Sequence, residues 1–169
     1  MALNSQAGNN IANQFGMPLF GVGGLLAFTG NWFWVDGTNG SDGNTGGPQD
    51  PFKTLTQALS ACLAGNNDVV LFSGTFNPTA TLAWNKNNTH LIGLTGNALS
   101  GGATISVASA AATTGAFTPL VNVTASGCIF QSLTVISGIA QAAAQVCWAE
   151  AGGKNTYINC SFNQVANAT

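Results

Sequence analysis

The residues able to do chemistry are few. Five carboxylates, Asp36, Asp42, Asp50, Asp68 and Glu150, stand with one histidine, His90, four cysteines, three lysines and no arginine. Glycoside hydrolysis needs two carboxylates facing each other across a groove. Four of the five acids precede residue 69, which leaves Glu150 alone on the body of the chain, where a solvated turn residue is the simpler reading. His90 has no serine or cysteine partner in sequence and reads as a structural histidine rather than a general base. Cys62, Cys128, Cys147 and Cys160 lack metal-ligand spacing, and most sit in apolar strand-like runs, as buried free thiols do in a reducing cytoplasm. No glycine-rich phosphate loop precedes a helix. These residues predict no catalytic set, no cofactor and no resident metal. The weak exception is calcium at Asp36 and Asp42, which bracket an oxygen-rich loop but lack the bidentate glutamate of an EF-hand.

Binding is better represented. Trp32, Trp34, Trp84 and Trp148 are the four tryptophans, and exposed aromatic rings stack on sugars or on partner proteins. Alternation places Trp32 and Trp34 on one side of a strand, in a core or an interface. Trp84 lies in a polar setting and is the candidate carbohydrate contact, with a loop aromatic folded back onto the body as the alternative.

Charged residues make up 5% of the chain and the formal net charge is −2. Three scattered lysines cannot displace counterions from a polyanion, which excludes nucleic acid as the main partner. Hydration must come from Asn, Gln, Ser and Thr. A surface with few ions to desolvate suits close packing against other protein copies.

Residues 1–30 read as an extended arm, polar at first and apolar later. Phe15, Pro18, Leu19, Phe20, Leu25, Leu26 and Phe28 have no helical or strand period, so the arm is expected to anchor on a partner surface. No basic leader precedes it, and its apolar stretch is too short and too glycine-rich to span a bilayer, so no membrane association is expected. Residues 31–169 form the second unit. A strand at 31–35 leads to a turn-rich loop, and an apolar stripe of Leu55, Ala58, Leu59, Cys62 and Leu63 predicts a helix over about 51–64. Short strands follow, at 69–72, 91–94, 103–107, 120–123, 129–136, 146–148 and 156–162.

Three of these runs share one grammar. In Leu91–Gly96, Phe130–Val135 and Tyr157–Phe162 the first and fourth positions are apolar, the third is Gly93, Ser132 or Asn159, and the fifth is Thr or Ser. Two short strands meeting at a bend explain it, with the third residue chosen for unusual backbone angles. Phe130 to Tyr157 is one repeat, and the longer step from Leu91 to Phe130 is one repeat plus an insertion. A β-sandwich is the alternative to a coil stack.

The stretch Phe33–Gly43, then Pro51-Phe52-Lys53-Thr54-Leu55 and Asp68–Thr75, resembles the opening of pectate-lyase-like right-handed β-helix proteins, with Asn67 where glycine and Phe76 where tyrosine are usual. The resemblance covers about residues 32–165 and is specific to fold rather than reaction. It implies an all-β chain: a right-handed parallel β-helix with an N-terminal capping α-helix and an extended N-terminal arm. It implies an open end after the last strand, covered by more chain or by partner subunits. Phage virion proteins use this fold, usually as trimers. By that analogy the chain is expected to be a virion structural protein made in the host cytoplasm: a capsid decoration, head fibre or tail-associated β-helix. Its partners would be its own copies, as a homotrimer, and a capsid or tail protein. The alternatives are a tailspike-like depolymerase and an adhesin, both acting on surface polysaccharide.

Overall fold

A computed structural model describes residues 20–21, 24–25, 30–94, 102–107, 119–138 and 146–164. The described chain is mostly β, with parallel sheets and one short helix. Two residue pairs, β1 (Phe20–Gly21) and β2 (Gly24–Leu25), form a small antiparallel ladder. Then come β3 (Trp32–Asp36), α1 (Leu55–Ala61), β4 (Val69–Phe76), β5 (Leu82–Trp84) and β6 (His90–Gly93). They are followed by β7 (Ala103–Val107), β8 (Val121–Val123), β9 (Ile129–Gln131), β10 (Thr134–Ser137), β11 (Trp148–Glu150), β12 (Thr156–Ile158) and β13 (Ser161–Gln164).

From β3 onward every pairing between the described strands is parallel. One ladder runs β3-β4-β6-β9-β12, a second runs from the end of β4 through β7 and β10 to β13, and a third is β5-β8-β11. The repeat grammar becomes register: Leu91 lies beside Phe130 and Phe130 beside Tyr157, while Thr134 lies beside Ser161 and Val135 beside Phe162. The first copy departs from the grammar after its bend. Thr104 and Ile105, not Thr95 and Gly96, occupy the rows of Thr134 and Val135, so the insertion falls between β6 and β7.

The bends lie between the first two ladders. Ser132 (φ 55°) separates β9 from β10 and Asn159 (φ 51°) separates β12 from β13, both in the left-handed region that the grammar demanded. Gly93 is there for another reason. Its φ is not left-handed, but a Cβ at this position would lie 2.1 Å from the Ser132 carbonyl oxygen. Close approach of two backbones, not chirality, requires glycine at 93.

Helix α1 is shorter than the expected 51–64. Phe52 donates its N–H to the Trp34 carbonyl (2.9 Å), and Asp42 accepts from the N–H groups of Lys53 and Thr54 (3.0 and 2.8 Å), which holds 51–53 extended. Thr54 then caps the helix by accepting from the Gln57 N–H at 3.1 Å. At the other end Asp68 takes the Leu63 N–H at 2.6 Å and draws the chain out of the helix. Leu63 is therefore 60% exposed and does not belong to the apolar stripe, while Leu55, Ala58, Leu59 and Cys62 are buried. Seven residues cannot hold a helix by themselves. Burial of Leu55 and Leu59 against the core, worth about 1.5–3 kcal/mol each, is what retains α1.

The core is a column of inward-facing residues. Val35, Val70, Phe72, Leu91 and Phe130 come from the first ladder, Ile105 and Val135 from the second, and Leu82, Trp84, Val121 and Val123 from the third, with α1 packed on the same cluster. Asp68, fully buried, fixes the junction of arm, helix and first sheet by accepting from Asn31 N–H (2.6 Å), Leu63 N–H (2.6 Å) and Asn66 Nδ2 (2.7 Å).

Candidate functional site

Among the described residues, a group of side chains that joins exposed rings to a carboxylate lies on β11, β12 and β13, the last described strands of their ladders. Strand register dictates it. Tyr157 occupies the inward row of Leu91 and Phe130, and Phe162 the row of Val135. No further described strand pairs beyond them, so Tyr157 is 37% and Phe162 41% exposed. The rings form one cluster. Phe130 and Tyr157 stack with centroids 5.2 Å apart, and Trp148 meets Phe130 edge-on at 5.0 Å, Tyr157 edge-on at 5.7 Å and Phe162 at 5.0 Å.

Glu150 orders this cluster. Its carboxylate accepts the Tyr157 hydroxyl and the Asn155 side-chain N–H (2.9 Å), and the same tyrosine oxygen accepts the Trp148 indole N–H at 3.1 Å. Burial, and then the hydrogen bond to Glu150, push the Tyr157 phenol well above its ordinary 10.0. Chemically this is a recognition surface: ring faces for stacking, with one acceptor carboxylate and one amide at its edge. Among the described residues Glu150 is the carboxylate in this group. Sequence reading placed Tyr157 and Phe162 in core rows and expected an open end after this strand, but did not single out their rings as exposed.

The other predicted residues fall elsewhere. Trp84 is not an exposed contact. It is fully buried on β5, donates its indole N–H to the Thr89 carbonyl (3.1 Å) and meets Phe130 edge-on at 5.7 Å. The polar residues after it hid the fact that Leu82 and Trp84 alternate inward around exposed Ala83.

Asp36 and Asp42 are each engaged by different N–H and O–H groups. Asp36 accepts from the N–H groups of Thr38 and Asn39 and from the Asn39 side chain, and the Asn39 backbone bond leads in holding its carboxyl below the ordinary value. Asp42 accepts from Lys53, Thr54 and the Thr54 hydroxyl. Among the described residues no three of His, Cys, Asp and Glu are grouped to hold a metal.

His90 is buried on β6 and accepts the Ile129 N–H on Nδ1 at 3.1 Å; burial lowers its pKa. All four cysteines are free thiols, three of them buried. Burial, reinforced by Asp68, pushes Cys62 up to about 12. Of the arm residues, Phe20 and Leu25 are register partners in the β1-β2 pairing; Phe15, Pro18, Leu19, Leu26 and Phe28 lie outside the described residues. Among the described residues no helix is long and apolar enough to cross a membrane.

No curated protein and no solved structure matches the chain. One family model does, over residues 38–146, from the loop after β3 to the approach to β11. That span is more than half of the chain, and by it the chain belongs to the family described as "Protein of unknown function (DUF1565)", a family associated with right-handed β-helix proteins.

Proposed function

We propose that the chain is a right-handed parallel β-helix serving as a structural module of a phage virion, as a capsid decoration, head fibre or tail-associated protein. The observation that carries the reading is the stack Leu91, Phe130, Tyr157: one row, one residue per pass, in parallel register. Parallel pairing of successive passes favours a right-handed crossover. Capping by α1 at the β3 and β4 end and exposed rings at the other give the module two unlike ends, which suits assembly with further protein. A body hydrated by amides and hydroxyls rather than ions fits the same role. In this reading the partners are other copies, as a homotrimer, and a capsid or tail protein reached through residues 1–30.

Electron microscopy of particles carrying the protein, together with its solution mass, tests the proposal. A trimeric rod fixed to the particle, and lost when residues 1–30 are deleted, is the expected result. A monomer absent from particles would sink it. The Trp148, Tyr157, Phe162 and Glu150 group favours a second reading, a polysaccharide-binding adhesin, which glycan-array binding abolished by Tyr157→Ala would support.

A further inference from the structure

The outer face of the first ladder is apolar where a solvated face is expected. Alternation assigns it without ambiguity. Phe33, Val35, Val70, Phe72, Leu91 and Phe130 belong to the core or pack on it, so the residues between them point the other way. Those residues form two rows across the sheet. One runs Trp32, Val69, His90, Ile129, Thr156, and the other Trp34, Leu71, Ile92, Gln131, Ile158.

Val69 and Leu71 sit in the middle of this face, outside the core cluster, and each has 0% of its surface exposed. Neighbouring side chains in a sheet stand parallel to one another, roughly perpendicular to the strands. Trp32, Trp34, His90 and Ile92 can therefore wall Val69 and Leu71 but cannot roof them. A roof needs another segment.

We propose that the roof is the chain's own residues 18–28, the apolar segment that carries the β1-β2 pair. This segment ends at the edge of the face: Asn31, tied to Asp68, leads into β3, whose first residue, Trp32, already points outward. Its composition fits, with Leu19, Phe20, Val22, Leu25, Leu26, Ala27 and Phe28 among eleven residues that carry no charge. Its length fits too. Val69 and Leu71 lie one strand from Trp32 and Trp34, about 4.8 Å away, within reach of a segment that folds back at the β1-β2 reversal. The glycines at 21, 23 and 24 allow the tight reversal between β1 and β2 and a close approach to indole rings.

If the arm also anchors the protein to a particle, its own sheet competes for the same apolar residues, and attachment becomes an exchange of seats.

The test is photocrosslinking in the full-length protein with benzoylphenylalanine in place of Phe20. Crosslinked peptides carrying Trp32, Trp34, Leu71 or Ile92, in a species of monomer mass, are the expected result. The same peptides in a species of dimer mass would overturn it in favour of a second copy as the occupant. Crosslinks to other faces, or none, would overturn it outright. As an independent check, Phe20→Asp in the full chain should red-shift tryptophan emission and increase acrylamide quenching while the thermal transition remains cooperative. Unchanged emission and quenching would count against the seat. Particle attachment is read in neither assay, so failure of the virion proposal leaves both results interpretable.

Discussion

The rings of Phe130 and Tyr157 lie face to face, 5.2 Å between centroids and 11° between planes, one full pass of the chain apart. Phe130 is completely buried and also meets Trp84 and Trp148 edge-on, so a single side chain joins three passes and two ladders. Phe130→Ala should therefore cost about 3–5 kcal/mol, the range for emptying a large aromatic site. Urea denaturation checks this; a loss below 1 kcal/mol would mean that the stack contributes little.

Asp68 is the second point of high cost. Three N–H groups converge on its buried carboxylate, from the start of β3, the end of α1 and the Asn66 side chain. Asp68→Asn removes the charge and turns one acceptor into a donor, with an expected loss of about 1.5–3 kcal/mol for each charged hydrogen bond broken. Hydrogen exchange should show the Asn31 and Leu63 amides opening first. Uniform protection at both sites in the variant would count against the hub.

His90 gives the fold a pH dependence. Burial lowers its folded pKa below the ordinary 6.5, with Asp68 opposing, and its Nδ1 must stay unprotonated to accept the Ile129 N–H. The contribution is thus complete above the unfolded value, and it falls as pH drops from about 6.5 toward the lower folded value, where the unfolded chain binds the proton first. Wild-type stability should decline between pH 7.5 and pH 5 in chemical denaturation. His90→Gln should flatten that decline; an equal slope in the variant would assign the effect to other groups.

The corner row separates two backbone requirements. Ser132→Gly relieves a left-handed residue and should leave stability unchanged or raise it, while Ser132→Val should cost about 1–2 kcal/mol. Gly93→Ala should be destabilising although its φ is ordinary, because the new methyl meets the Ser132 carbonyl. Thermal melts of the three variants should rank them in that order.

Tyr157 is the only tyrosine in the chain, so its ionisation is directly readable by ultraviolet absorbance. It should titrate well above 10.0, and Glu150→Gln should bring it down part of the way, since burial remains when the carboxylate is gone. A titration at the ordinary value in the wild type would mean that the aromatic edge is open to water.

Much of this was legible in the residues. The three-copy grammar predicted which residues share a row, because parallel pairing places equivalent positions side by side, and Leu91, Phe130 and Tyr157 do so. The alternation of Trp32 and Trp34 likewise put both rings on one face. What sequence alone could not supply were decisions made by distant partners. Asp42 and Asp68 trimmed the helix at both ends through bonds to backbone amides. The strand at Trp84 has only three residues, so its polar neighbours outweighed its alternation. Glycine at 93 answered to a carbonyl on the next pass.

The four reduced thiols have a practical corollary. Cys62 sits under the helix at one end, Cys128 opens the approach to β9, Cys147 precedes β11 and Cys160 follows Asn159 at the opposite edge. Burial raises the pKa of all four, so an alkylating reagent meets little thiolate until the surrounding strands part. The chain thus carries its own graduated ruler: the order in which these positions become modifiable records the end from which the molecule comes undone.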